Sequence, residues 1–188
     1  FGVDVEVDAA GGLPKTVLVG LPEQAVKESV HRIERALANL GFNRPRGRTV
    51  INLAPADTKK EAGAFDLPIA VGLLVATGQL PASALEGMAL AGELALDGTV
   101  RPIKGALSIA MAAAARGVRS LLVPRENARE AAVVEGLTVI GVGGLGEAVA
   151  HLTGMMSISP TETSTAAPAA EMNRYSIDFA DVRGQEYA

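Results

Sequence analysis

"TVINLAPADTKKEAGAFDLPIAVGLLVATG", residues 49–78, decides the fold class. "TVINLAP" resumes as a strand after Pro45 and Gly47 have broken regular structure, and the run from 67 to 78 is almost wholly apolar. At about 12 residues that run is too short for a membrane span, which needs about 20, so it reads as a buried helix. A strand followed by a buried helix is the unit of a sheet covered by helices. Asp66 stands at the boundary. Local chemistry makes it a helix N-cap, with Leu67 first in the helix and Pro68 in its first turn, a cap worth roughly 1 kcal/mol. A catalytic carboxylate there would need a partner acid or base, and the sequence singles none out.

Upstream, "GVDVEVD" alternates Val3, Val5 and Val7 with Asp4, Glu6 and Asp8, the period of a half-buried strand with an acidic outer face. Gly11 and Gly12 turn the chain into "TVLVG", and the two strands are expected to pair as a hairpin. From Pro22 the pattern is helical: Val26, Val30, Ile33, Leu37 and Leu40 form one stripe, Gly41 stops it, and Glu28, Arg32 and Arg35 fall on the opposite face. Downstream, "MALAGELALDGTVRPI" reads as two short strands joined at Asp97-Gly98. An Ala-rich helix up to Gly117, the buried strand "RSLLVP", a short helix, the strand "TVIGV" and a closing helix follow. The fold expected is α/β of the α+β type: one mixed sheet covered by helices, over residues 1–154. Residues 155–174, rich in Ser, Thr, Pro and Ala, read as a flexible linker, and 175–188 as the start of another module.

Composition narrows the function. The 188 residues are 48% apolar but only 3% aromatic, so Ala, Val, Leu and Ile must build the core. The absence of cysteine removes disulfides, thiolate metal sites and Cys nucleophiles, and suits a reducing cytoplasm. "FGVDVEVDAA" lacks the layout of a signal peptide and reads as starting inside a strand, as a trimmed chain would. The net charge of −4 conceals a division: residues 27–60 hold eight basic side chains against three acidic ones. Such a stretch marks either a polyanion-facing surface or a solvated helix face and loop.

Two further patterns have bland readings. "GVGGLG" at 141–146 follows a strand and opens a helix, but the acid that would hold a ribose, about 20 residues on, falls in the linker, which favours an ordinary turn. His31 and His151 have no companions at metal spacing and read as helix-face residues.

Four segments carry a resemblance: "VGLPEQAVKESVHRIERALANLGF", "VINLAPADTKKEAGAFDLPIAVGLLVATGQL", "AGELALDGTVRPIKGAL" and "DFADVRGQEYA". Together they resemble the amino-terminal part of the magnesium-chelatase-like AAA+ proteins of bacteria, the YifB or ComM group. The resemblance implies a first domain like the proteolytic domain of Lon and the carboxy-terminal domain of RadA, followed by an ATPase module. Lon-type proteases keep a nucleophilic Ser at the start of one helix and a Lys base at the start of another. Laid on this chain, those positions fall on Asp66 and Leu107, so the dyad is missing, and a serine-lysine mechanism has neither hydroxyl nor amine. Lys104, Lys59 and Lys60 leave a rearranged pair open.

The resemblance implies a non-catalytic domain of a hexameric AAA+ ATPase that processes single-stranded or branched DNA, as in branch migration during natural transformation. No phosphate loop is present here, so no ATP hydrolysis is expected of this chain; ATP and magnesium belong to the longer protein, with Val182 and Gly184 at the adenine side of its module. Neither a metal nor a membrane partner is expected. The DNA candidates are Arg32, Arg35, Arg44, Arg46, Arg48, Lys59 and Lys60. Alternatives are a purely structural oligomerisation domain, a magnesium-chelatase subunit, or a residual Lon-type peptidase.

Overall fold

The computed structural model describes residues 2–56 and 63–162. Lys59, Lys60, Val182 and Gly184, most of the expected linker and the expected second module lie outside the described residues.

Three strands form the first sheet: β1 (Asp4–Ala10), β2 (Lys15–Val19) and β3 (Arg48–Ala54), with α1 (Gln24–Asn39) between the last two in sequence. The order is β1-β3-β2, with β1 antiparallel and β2 parallel to β3. The expected β1–β2 hairpin therefore does not form; β3 is inserted between them. Burial explains the order. β3 buries Ile51 and Leu53 completely, whereas β1 turns its acidic residues outward and suits an edge, where charge blocks further pairing. Gly47 makes the insertion sterically possible, because a Cβ there would collide with the Ala10 carbonyl oxygen in the β1–β2 turn.

α2 (Asp66–Ala76) is buried over Leu67, Ile69, Ala70, Val71, Leu73 and Leu74, the buried helix expected of the apolar run. The chain then splits where one strand was expected. β4 (Met88–Leu90) joins the second sheet, parallel to β7 (Ser120–Pro124), which is parallel in turn to β8 (Thr138–Val142). Past Gly92, β5 (Glu93–Leu94) pairs antiparallel with β6 (Val100–Arg101) across the Asp97-Gly98 turn, as expected, with Gly98 at φ 86°. Gly92 divides the segment because the chain passes close over α2: a Cβ there would lie 2.8 Å from Val100 Cγ1 and 3.4 Å from Leu67. The described residues thus form a mixed α/β fold with several small sheets rather than one.

α3 (Ala106–Ala115), α4 (Ala128–Ala131) and α5 (Leu145–Leu152) complete the layers. Aliphatic side chains such as Ile33, Leu37, Ile51, Leu74 and Leu145 fill the main core, as the scarcity of aromatics requires. Residues 155–162 run back along β8: Ile158 packs on the core and donates its N–H to His151 Nδ1, and Thr161 N–H reaches the Val139 carbonyl at 2.8 Å.

Asn127, buried between β7 and α4, clamps the segment before α3. Its Oδ1 accepts the Ile103 N–H at 2.9 Å and its Nδ2 donates to the Ile103 carbonyl at 3.0 Å. Asn127→Ala leaves that N–H without its acceptor, and a loss of about 1–2 kcal/mol is expected in urea unfolding. A loss below about 0.5 kcal/mol would mean that water replaces the amide.

Candidate functional site

Asp66 is fully buried. It is not the cap that the local sequence suggests. Phe65, before it, is already in the right-handed helical region, following a tight turn over Gly63–Phe65, and no side chain caps the helix. Capping needs an extended residue whose side chain folds back onto the first amides. Here the Leu67 N–H is satisfied by the Gly92 carbonyl at 2.9 Å instead, and the carboxylate is free to turn inward.

Inward it meets Arg32. Asp66 Oδ2 accepts Arg32 Nε at 2.9 Å, Arg32 Nη2 at 2.7 Å and the Leu94 amide at 3.0 Å. Among the described residues its Oδ1 is buried without a hydrogen-bond partner. Three elements distant in sequence, α1, α2 and β5, are thereby tied at one oxygen. Arg32 is consequently not a residue of an exposed helix face: its guanidinium points at Asp66, and it is withdrawn as a DNA candidate.

Burial pushes the Asp66 carboxyl above the ordinary carboxylate range; the Leu94 amide and Arg32 pull it down without cancelling the effect. A raised folded-state pKa means that the folded chain holds the proton more tightly. Its contribution to stability is therefore full below the unfolded-state value and is lost as pH rises through the folded-state value. Asp66→Asn removes this dependence. Across that window, the stability of the parent chain relative to D66N is expected to fall with rising pH, measured by urea melts at a series of pH values. A difference that stays flat would mean that Asp66 titrates as it does in the unfolded chain.

Leu107, the other position that the Lon resemblance singles out, lies exposed in the first turn of α3 and donates its N–H to Glu130 Oε1 at 3.1 Å. Lys104, just before α3, is exposed. Asp66, by contrast, is fully buried and salt-bridged to Arg32. The "GVGGLG" turn is equally occupied: Glu147 Oε2 accepts the Gly143 N–H at 2.6 Å, and the Leu145 N–H goes to the Gly98 carbonyl at 2.8 Å. A carboxylate over that turn does not fit a nucleotide's phosphates.

The remaining cations behave differently from Arg32. Arg35 is exposed on α1, Arg44 and Arg46 are exposed in the loop before β3, and Arg48 is exposed as its first residue. Among the described residues these four form no ion pair, whereas Arg32, Arg101, Arg116 and Arg125 each have one. Beside Arg44 opens a groove of about 800 Å³ between β2, α1 and that loop, lined also by Lys15, Lys27, His31 and Glu34. Sequence reading chose none of Lys15, Lys27 and His31 as a site residue. Lys27 lies in the basic stretch, but that Lys15 lines the same groove depends on the placement of separate elements, which no spacing reveals.

Over residues 5–127 the chain matches the family described as subunit ChlI of Mg-chelatase, and it belongs to that family. Among individual proteins, it is similar to YifB of Salmonella typhimurium, 42% identical over 185 residues, which are 98% of this chain and 35% of the relative. It is likewise similar to the competence protein ComM of Haemophilus influenzae, at 38% over 187 residues, 99% of this chain and 36% of ComM. A weaker match is the Lon protease of Rhizobium meliloti, 28% identical over 143 residues, 73% of this chain and 17% of that protein; it supports the Lon-like character of the fold. The chain spans about a third of the length of its YifB and ComM relatives. No helix among the described residues is long and apolar enough to cross a membrane.

Proposed function

We propose that this chain is a non-catalytic, Lon-like domain of an AAA+ ATPase that processes DNA, and that it serves assembly of the motor and engagement of the nucleic acid. The observation that carries the first part is the state of Asp66. The carboxylate at the nucleophile's position is buried and bound to Arg32 and Leu94, so it holds helices together instead of meeting a substrate. Similarity to a competence protein and a set of exposed arginines that form no ion pair among the described residues support the second part. Contacts from Arg35, Arg44, Arg46 and Arg48 to phosphates would be independent of base sequence, since cations on a surface read charge alone. ATP and magnesium belong, in this proposal, to the module that follows, and a hexameric ring supplies the avidity that one copy lacks.

The test is binding to DNA of unrelated sequences over a range of salt. Log affinity is expected to fall linearly with log salt and to be the same for each sequence. Sedimentation of the chain with and without DNA separates this proposal from a purely structural role: association that DNA leaves unchanged, with no co-sedimenting DNA, would favour an oligomerisation domain.

A further inference from the structure

The groove between β2 and α1 is lined by basic residues from three elements. β2 contributes Lys15, α1 contributes Lys27 and His31 one turn apart, and the loop before β3 contributes Arg44. Glu34 is the acid among the lining residues, and its Oε1 already accepts the Thr16 hydroxyl at 2.9 Å. Lys15, Lys27, His31 and Arg44 form no ion pair among the described residues. Lys15, Lys27 and Arg44 outnumber the one carboxylate, Glu34, so the lining is net positive and favours an anion from outside.

The strand adds main-chain donors. Among the described residues β2 is an edge, paired with β3 on one side alone. The Lys15 N–H reaches the Gly47 carbonyl, and the parallel register runs from Lys15 opposite Arg48 to Val19 opposite Asn52. Amides alternate along a strand, so Lys15, Val17 and Val19 point at β3 while Thr16 and Leu18 turn their N–H groups to the open edge. Pro14 to Leu18, five consecutive residues, line the groove. A strand lining a cavity with consecutive residues presents its edge, because each face takes only alternate ones. The groove therefore offers cations from three elements together with two free amide donors, the groups that contact phosphate oxygens.

The positive strip does not stop at the groove. Beyond it, Arg48, the cross-strand neighbour of Lys15, and Arg46 are both exposed and form no ion pair among the described residues. A strip that continues past its pocket suits a polymer of regularly spaced negative charge better than a small anion. We propose that this groove receives the sugar-phosphate backbone of one nucleic-acid strand, an inference that rests on the DNA engagement proposed above. Two walls favour one strand over two: a duplex presents its phosphates on a convex cylinder and touches only the rim. The α1 wall from Lys27 to Glu34 is about 10 Å long, which limits the enclosed phosphates to two or three. The His31 ring and the Arg44 guanidinium are flat groups on which a base stacks, on a surface otherwise poor in aromatics.

The test is a titration of the isotope-labelled chain with hexadeoxythymidylate at low salt, followed by amide shifts, which register even millimolar binding. Shifts are expected at Thr16, Leu18, Lys27, His31 and Arg44, with smaller ones when a 12-base-pair duplex is used. Lys15→Gln with Lys27→Gln is expected to weaken single-strand binding about tenfold at 0.1 M salt and to lower the salt slope by about 1 to 2. Arg46→Gln with Arg48→Gln is the comparison. If that pair weakens binding while the lysine pair leaves it unchanged, the groove is not the site and the DNA proposal stands. If neither pair changes binding and no amide shifts, both proposals fall. Equal shifts with the duplex would overturn the single-strand assignment. Shifts with oligoglutamate but not with the oligonucleotide would make the groove a site for acidic peptide and overturn the proposal.

Discussion

Arg32→Ala is expected to lower the melting temperature of this chain by about 5–15 °C, more than Asp66→Ala does. The asymmetry follows from what each change leaves behind. Without Arg32, the Asp66 carboxylate stays fully buried with one amide as its remaining partner, while Oδ1 still has none. Stranding one member of a buried pair costs about 3–5 kcal/mol, but Arg32 is 29% exposed and water enters where it leaves, so about 2–4 kcal/mol is the working figure. For a chain of this size each kcal/mol moves the midpoint by about 2–4 °C. Asp66→Ala strands only the Leu94 N–H, while Arg32 swings out to solvent, and costs about 1–3 kcal/mol. Replacing both, Arg32→Met with Asp66→Leu, is expected to recover most of the loss, because apolar side chains of similar volume need no partner. Thermal melts of the three variants decide the matter. Should Arg32→Ala prove milder than Asp66→Ala, Arg32 is not what keeps the carboxylate charged.

The second large effect is on affinity. Replacing Arg44, Arg46 and Arg48 together by alanine is expected to weaken DNA binding about a hundredfold or more at 0.1 M salt, and to lower the salt slope by about 2 to 3. Each phosphate neutralised contributes about 0.9 to the slope on duplex and about 0.7 on a single strand, and so close to a decade of affinity at that salt. All three side chains are exposed, and none forms an ion pair among the described residues, so their removal leaves the fold intact. That separates them from Arg32, whose loss would reduce binding by unfolding the domain. An unchanged affinity and slope, with an unchanged melting temperature, would make these arginines subunit-contact residues.

Legibility followed locality. The α1 stripe from Val26 to Leu37, the burial of α2, the Asp97-Gly98 turn and the aliphatic core are patterns of period 3.6, of turn chemistry or of composition, each legible in a few adjacent residues. Leu40 does not belong to the stripe, being exposed past the helix end. The pairing of β1 and β2 was misread because the short Gly11-Gly12 connection argues for a hairpin. What outweighs it is the burial of Ile51 and Leu53, which belongs to β3, more than 30 residues away in sequence. Asp66 was misread for the same reason. Before an apolar run an Asp caps a helix by default, and nothing near it announces that Arg32 and Leu94 will take its oxygen.

The sequence by itself determined the class of fold, the family to which the chain belongs, and the basic stretch that holds Arg44, Arg46 and Arg48. Those properties depend on residue type and short-range spacing. Only the tertiary structure decided that β3 divides β1 from β2, that Arg32 turns inward while Arg35 stays outside, and that Lys15, Lys27, His31 and Arg44 line one groove. These are choices among alternatives that local propensity leaves nearly equal. They are settled by which arrangement buries the most apolar surface and leaves the fewest charges without a partner, quantities defined only once the whole chain has folded.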